Sequence, residues 1–489
     1  MSDLNWTILI PALIVSGAFL LVLCIDIVWP KNRGTPAAYV ALFGTVVALI
    51  PSLPGIGLWG RGEYDGISGM MVLDNFALFS NAIFLIGTGL TIAISRGYLA
   101  REMASHSEYY LLLLSATLGM MLMAAAGDLI VIFLGIELMS ISLYILVGFL
   151  RGRPTSNEAS LKYLLLGAFA TGFLLYGIAL VYGAVGTTNL REIGLALSQG
   201  RFSGDFVLLG GLAMLIVGFG FKVAAVPFHM WAPDVYEGAP TAITAFISAG
   251  PKAAAFVAFL RVLTVSMPSL QVEWTAALWV LAVLTMTVGN LSALGQRSIK
   301  RMLAYSSVAH AGYLLVALAA GSERGISSAL FYLMAYTFMN IGAFAVVILV
   351  GRKEEENLDI SGYAGLGFRH PGLGLAMTLF MVSLAGLPPT AGFFGKFYIF
   401  SAAVEAGLVS LAIIGVLNSL VSVYFYLGVV VSMYMRQPSV EPPALPLPLF
   451  SRAAVLITFL ATLYIGVSPS GLLEKALETI SSLSVTSGS

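Results

Sequence analysis

A series of apolar runs, each close to the length of a membrane crossing, is the feature that most constrains this chain. A helix needs about 20 apolar residues to span roughly 30 Å of hydrocarbon. Only 10% of the residues are charged, against about 25% in a typical soluble domain. The sequence therefore predicts an all-α polytopic membrane protein with about 14 transmembrane helices. The fourteen runs lie at approximately 7–28, 36–58, 70–94, 109–126, 128–149, 159–183, 205–231, 241–263, 275–295, 299–320, 326–350, 373–404, 407–434 and 453–473.

The charge balance and the cysteine content exclude several classes of function. Lys plus Arg and Asp plus Glu number 24 each, so no net charge draws the chain to nucleic acid or acidic substrates. The single cysteine, Cys24, lies in an apolar run. Disulfide scaffolds, Cys-based zinc sites and iron–sulfur clusters ligated within this chain are therefore excluded. No two of the four histidines have metal-ligand spacing, so we expect no metal site.

The basic residues between the runs predict the orientation in the membrane. Four lysines lie inside runs, and the other Lys and Arg residues divide fourteen to six between the two sides. Lys300 is counted among the fourteen on the cytoplasmic side, and Arg261 among the six on the outer side. Cytoplasmic loops carry the excess of Lys and Arg in membrane proteins. We therefore expect both termini on the outer face, which is the periplasm in a Gram-negative cell.

Two blocks of five runs predict an internal repeat. Because five is an odd number, the second block must lie inverted relative to the first. The fourth run of each block is long, interrupted by Gly and Pro, and carries a lysine: Lys222 in VGFGFKVAAVPFHMW and Lys396 in LAGLPPTAGFFGKFYIF. Alternatively, Gly and Pro only bend these helices, since both are common in membrane spans. The predicted segments are 1–108 with three helices, 109–263 as the first repeat, 275–434 as the second, and 435–489 with a last helix and a tail.

Ionisable residues deep in the apolar runs are the strongest functional signal. A charge at the centre of a membrane helix costs at least about 2.5 to 3.5 kcal/mol and usually marks an ion or proton pathway. Glu137 is the tenth residue of its run, and Lys252 follows Pro251 in the middle of another. We predict that Glu137 pairs with Lys222. The alternative, a static buried ion pair, would explain one lysine but not three.

Three further residues are candidate members of the same site. Lys162 lies near the cytoplasmic end of its run, where a lysine side chain can reach the interface. His310 lies mid-run beside Ser306 and Ser307, and His229 follows the first interruption. Each histidine is either a relay member or a buried histidine with satisfied hydrogen bonds.

Several stretches resemble one known family over essentially the whole chain. FGFKVAAVPFHMWAPDVYEGAPTAITAFISAGPKAAAF (219–256), GIELMSISLYIL (135–146), EASLKYLLLGAFATG (158–172), SIKRMLAYSSVAHAGYLL (298–315) and LAGLPPTAGFFGKF (384–397) are similar to the antiporter-like membrane subunits of respiratory complex I, the NADH-quinone oxidoreductase. The N-type members of that family resemble the chain most, because of HMWAPDVYEGAP and the lysine in the second broken helix.

The resemblance implies a proton-translocating module in the bacterial plasma membrane, within an assembly that passes electrons from NADH to a quinone. By that resemblance, Glu137 and Lys222 form a coupled pair, Lys252 is the central relay and Lys396 feeds the exit. The supporting positions are Lys162, Lys300 and His310.

The resemblance also implies that this chain binds no cofactor, and that partner subunits hold the NADH, FMN, iron–sulfur and quinone sites. The expected partners are the other membrane and peripheral subunits of complex I. Two alternatives remain: a subunit of a multi-subunit sodium-proton antiporter, which shares the fold and lysines, and a scaffold that conducts nothing.

Overall fold

The computed structural model describes residues 6–28, 34–54, 56–60, 64–66, 69–200, 204–351, 358–437 and 448–480. These residues form nineteen α-helices and one short hairpin of β1 (Tyr64–Gly66) and β2 (Met71–Leu73). The first ten helices are α1 (Ile10–Val28), α2 (Gly34–Leu49), α3 (Asn75–Arg101), α4 (Ser107–Ala124), α5 (Leu129–Val147), α6 (Pro154–Val185), α7 (Leu190–Ser198), α8 (Phe206–Val223), α9 (Trp231–Gly238) and α10 (Thr241–Arg261). The others are α11 (Gln271–Leu294), α12 (Ile299–Ala319), α13 (Glu323–Val350), α14 (Leu366–Arg369), α15 (Pro371–Ala385), α16 (Ala391–Glu405), α17 (Val409–Met435), α18 (Leu449–Val467) and α19 (Ser470–Glu478).

The predicted all-α polytopic class is confirmed, with a small difference in the number of spans. Within the described ranges, thirteen helical segments are long and apolar enough to cross a membrane. The predicted run 373–404 is not among them, because it forms two helices, α15 and α16, of 15 residues each. Its break falls where the chain has Gly386, in the left-handed region at φ +82°, followed by Pro388 and Pro389. Proline cannot donate the backbone hydrogen bond that would continue the helix.

The interior of the bundle is formed by α10, α12 and α13. Every residue of α10 is buried, and it packs between α3, α4 and α13. The outer helices α1, α6 and α17 instead expose large apolar side chains, among them Leu20, Phe169 and Leu420. Apolar side chains on the outside are what a lipid environment requires, since lipid tails are as apolar as the protein interior.

Glycines allow the closest helix contacts. A Cβ atom at Gly119 of α4 would lie 2.6 Å from the Gly135 carbonyl oxygen of α5, and one at Gly312 of α12 would lie 2.6 Å from the Met286 amide nitrogen of α11. A side chain at either glycine would clash with the facing helix, so the two backbones are in direct contact. Small residues permit such close contact between membrane helices. The two helix pairs, α4 with α5 and α11 with α12, open the two predicted repeats. The inverted relation between the repeats and the predicted segment boundaries stay predictions.

Both lysine-bearing breaks have the same local form. Helix α8 ends at Val223, and Ala224 adopts the left-handed region at φ 60°. Helix α15 ends at Ala385, and Gly386 adopts the same region. A prolyl peptide bond in the cis form follows in each, at Pro227 and at Pro389. A helix end leaves carbonyl groups without intrahelical partners, so each break places free acceptors inside the bundle.

A buried ion pair joins the N-terminal helices to α10. Arg261, at the end of α10, donates from Nη2 to Asp74 Oδ1 at 2.8 Å and from Nη1 to Asp74 Oδ2 at 2.9 Å. Asp74 also caps α3 by accepting from the Ala77 amide at 2.7 Å. Both side chains are almost fully buried, although the sequence suggested that Arg261 belonged to an outer loop. The pair is bidentate, which is the strongest geometry for an arginine and a carboxylate.

We expect the Asp74→Asn substitution to destabilise the protein strongly, because it leaves the Arg261 charge buried without its partner. Breaking such a pair from one side costs about 3–5 kcal/mol. The measurement is the thermal unfolding midpoint of the purified protein in detergent. The matched control is Arg324→Gln, which removes an ion pair with the half-exposed Glu405. The loss of this surface pair should lower the free energy of unfolding by at most about 1 kcal/mol. Equal midpoints for the two variants would contradict a stabilising role of the buried pair.

Candidate functional site

Four lysines lie inside the helical bundle with almost no access to its surface. Lys222 is 7% exposed, Lys252 3%, Lys300 1% and Lys396 4%. A buried amine must find hydrogen-bond acceptors, because burial of an unsatisfied charged group costs several kcal/mol or more. The acceptors around each lysine therefore define the site.

Lys222 lies in the last turn of α8 and contacts the polar face of α5. Its Nζ donates to Ser140 Oγ at 2.8 Å. Glu137 lies one helical turn before Ser140, so both project from the same face of α5. Glu137 interacts electrostatically with Lys222, and its Oε1 is buried without a hydrogen-bond partner. The two predicted partners thus share one site, where Ser140 rather than the carboxylate makes the direct contact with Lys222.

Lys252 on α10 contacts the middle of α12. Its Nζ donates to the Ser307 carbonyl oxygen at 2.7 Å and also to Ser307 Oγ. Tyr236 of α9 lies on the other side of the same hydroxyl, with an oxygen–oxygen distance of 3.3 Å. Both acceptors on Ser307 are neutral groups, and no carboxylate in the described ranges forms an ion pair with Lys252.

His310 lies one helical turn beyond Ser307 on α12 and occupies the centre of a cluster of tyrosines. Its Nε2 is hydrogen-bonded to the Tyr426 hydroxyl at 2.9 Å, and its Nδ1 to the Tyr332 hydroxyl. His310 interacts electrostatically with both Lys252 and Lys396. With both ring nitrogens bonded to hydroxyls, the imidazole can accept a proton on one side and release one on the other.

Lys396 on α16 points back to the break that precedes its helix. Its Nζ donates to the Leu384 and Ala385 carbonyl oxygens, each at 3.0 Å, and to Ser419 Oγ at 2.9 Å. The two carbonyls belong to the last turn of α15, where the helix dipole favours a cation. Lys396 also lines a groove of about 700 Å³ between α16 and α17.

One of the supporting residues, Lys162, lies at the edge of the site. The Lys162 Nζ is 2.8 Å from Glu158 Oε1 and 2.8 Å from Asp234 Oδ2, with a side chain that is 42% exposed. Asp234 also accepts from Arg301 at 3.0 Å. Burial raises the pKa of Asp234, but the hydrogen bonds from Lys162 and Arg301 outweigh burial and hold that pKa below its usual range. Lys162 is therefore part of an ion-pair cluster rather than a buried amine.

The two remaining predicted residues differ in their surroundings. Lys300 at the start of α12 donates to the Ala239 carbonyl oxygen at 2.8 Å, so it is buried rather than part of the loop to which the sequence assigned it. His229 lies in the segment between α8 and α9, is half-buried, and leaves Nδ1 without a hydrogen-bond partner. No contact joins His229 to any of the four buried lysines within the described residues.

The sequence did not identify the tyrosines of this site. Tyr332 and Tyr426 belong to no sequence motif of the predicted site, although their hydroxyls flank His310. The only signal was their position inside apolar runs, where a tyrosine hydroxyl needs a partner. Among the described residues, no group of three or more His, Cys, Asp or Glu side chains could hold a metal ion.

The chain matches known proteins over nearly its whole length. The family model described as NADH:quinone oxidoreductase/Mrp antiporter, TM, matches residues 126–422. NADH-quinone oxidoreductase subunit N of Trichlorobacter lovleyi is 51% identical, over 98% of this chain and 97% of that protein. Subunit N 2 of Roseiflexus castenholzii is 46% identical, over 95% and 94%.

Solved structures show the same likeness. A chain of respiratory complex I from Thermus thermophilus with bound aureothin is 35% identical, with a TM-score of 0.81, and the match covers 95% of this chain and 98% of that chain. A chain of the Mrp complex from Dietzia sp. DQ12-45-1b has a TM-score of 0.86 at 21% identity, over 99% and 98%, and shares the fold. The NADH-quinone oxidoreductase relatives are 35–51% identical to this chain, whereas the Mrp chain is 21% identical. Sequence identity therefore places the chain with the former. The chain belongs to the NADH:quinone oxidoreductase/Mrp antiporter family and, within it, to the subunit N group of NADH-quinone oxidoreductase.

Proposed function

We propose that this chain is a proton-translocating membrane subunit of NADH-quinone oxidoreductase, which couples electron transfer from NADH to quinone to proton movement across the membrane. The observation that carries the proposal is the row of ionisable groups inside the helical bundle, which runs from the partly buried Glu137 through the buried Lys222, Lys252 and His310 to Lys396. A scaffold would have no need to bury so many amines at the cost that burial imposes. The redox cofactors belong to partner subunits in this proposal.

In the proposed mechanism, quinone reduction in neighbouring subunits moves Glu137 relative to Lys222, and protons pass by way of Lys252 and His310 to Lys396. Switching a site from 1:99 to 99:1 occupancy requires about 5.5 kcal/mol. Opposite charges about 4 Å apart interact by about 4 kcal/mol at an effective dielectric constant of about 20. Making and breaking one ion pair therefore supplies most, but not all, of the energy that such a switch requires.

We also propose that both termini lie on the periplasmic side of the bacterial inner membrane. The fourteen-to-six division of basic residues included Lys300 and Arg261, both of which are buried. Without them the division is thirteen to five, and the bias toward one side persists. The proposed segments, 1–108, 109–263, 275–434 and 435–489, are the units of this topology.

The identity of the partners separates complex I from a sodium-proton antiporter. We expect the tagged full chain, extracted in mild detergent, to copurify with flavin-binding and iron–sulfur subunits and with NADH-quinone reductase activity. Mass spectrometry of the purified material is the measurement. Recovery with small membrane antiporter subunits alone, together with sodium-dependent proton exchange, would contradict the proposal.

We expect Glu137→Gln and Lys222→Ala each to lower proton pumping by the assembled complex about tenfold or more, since positioned proton-transfer groups usually contribute roughly 10²-fold or more. Pumping is measured by dye quenching in proteoliposomes, alongside NADH-quinone reductase activity. The matched control is Lys475→Ala, which removes a partly exposed amine paired with Glu478. Wild-type pumping in either buried-site variant, with assembly intact, would refute the relay.

The tyrosines around His310 provide a finer test of the route. We expect Tyr426→Phe to slow pumping, because it removes the hydroxyl bonded to His310 Nε2 while the ring still fills its space. The matched control is Tyr398→Phe, since Tyr398 lies on α16 among Phe331, Phe394 and Phe397. Equal pumping rates in the two variants would remove Tyr426 from the proposed route.

A further inference from the structure

A groove runs between the first turns of α15 and α18, away from the row of buried lysines. Its volume is about 710 Å³, and its walls are mostly apolar. Leu375 and Leu456 are more than half exposed there, at 56% and 57%. The lining also includes Leu373, Ala376, Ala453, Val455 and Phe459. Apolar walls open to the outside of a membrane bundle are suited to an acyl chain.

One end of this groove is cationic. Arg369, His370 and Arg452 line it, and both arginines are exposed. Neither arginine forms an ion pair with any residue in the described part of the chain. Helix α15 begins at Pro371 and α18 at Leu449 beside these side chains, and neither helix has a side-chain cap. The uncapped first turns add partial positive charge at the same end.

The charged end and the apolar walls are arranged along the membrane normal. Helices α15 and α18 both begin at this end, which is cytoplasmic in the proposed orientation. From Arg452 to Phe459 the axis of α18 rises about 10 Å at 1.5 Å per residue. A ligand of this groove therefore has a negative group at the interface and an apolar part of at least that length.

We propose that the groove between α15 and α18 binds an anionic phospholipid, with its phosphate at Arg369 and Arg452 and an acyl chain along Leu373 and Leu456. Basic pockets between membrane helices on the cytoplasmic side recognise such head groups, since anionic lipids are concentrated in that leaflet. A purely apolar partner helix would leave both arginines unpaired, and a soluble anion would leave the apolar walls uncovered. The phospholipid matches both halves of the groove.

The test is native mass spectrometry of the full chain in its native assembly, delipidated and then titrated with phosphatidylglycerol or phosphatidylcholine. We expect phosphatidylglycerol to bind and the double variant Arg369→Gln/Arg452→Gln to weaken that binding about tenfold, because two phosphate contacts are lost. The double variant with Lys at both positions keeps the charge and should retain most of the binding. Ala453→Phe should also reduce binding by filling the acyl part of the groove.

The matched control is Arg151→Gln/Arg297→Gln, which removes two charges from the same proposed face at residues that do not line this groove. We expect this control to bind phosphatidylglycerol as the unmodified chain does. Equal weakening in the two glutamine double variants, equal binding of the two lipids, or the absence of bound lipid would each overturn the proposal. None of these readouts depends on pumping, so the proposal stands or falls separately from the function of the lysine row.

Discussion

The need to satisfy an amine inside the membrane is the constraint on which the rest of this structure depends. Each buried lysine has acceptors that the fold supplies in a different way. Lys222 uses a serine on a neighbouring helix, whereas Lys252 uses both the carbonyl and the hydroxyl of Ser307. Lys396 uses carbonyls that are free only because α15 stops at Ala385. The second break therefore supplies hydrogen-bond acceptors to Lys396 as well as interrupting the helix, and the glycine and proline residues that form it are part of the site.

Close packing holds these acceptors in place. The fully buried α10 carries Lys252 in its middle and Arg261 at its end, so one helix contributes both to the proposed relay and to the strongest tie with the N-terminal helices. Helix α12 carries Ser307 and His310 on successive turns and meets α11 at backbone distance through Gly312. A displacement of either helix would change several hydrogen bonds together, because packed interiors shift between discrete arrangements rather than deform smoothly.

The sequence predicts the spans and most of the buried lysines, because a single charged residue within about twenty apolar ones is rare and usually faces the interior of a helical bundle. The break before Lys396 was also foreseeable, since two prolines and a glycine cannot continue a helix. Other features depend on tertiary contacts that no local pattern reveals. Asp74 and Arg261 are 187 positions apart, and each lies near the end of a different apolar run, where nothing local indicates a partner. Tyr332 and Tyr426 have the amphipathic character of ordinary interior packing residues, and only their contact with His310 distinguishes them.

The position of His310 between Lys252 and Lys396 has a thermodynamic consequence. Two positive charges that interact each lower the proton affinity of the other site. This coupling is reciprocal: a proton on the first site lowers the proton affinity of the second by the same factor as a proton on the second lowers that of the first. In the proposed relay, the three groups would therefore form an anticooperative series. Simultaneous protonation of all three would be disfavoured, so a proton arriving at one end would promote departure of a proton at the other. Protons in the row would then advance because each arriving charge repels the one ahead of it, rather than by each one diffusing independently along its length.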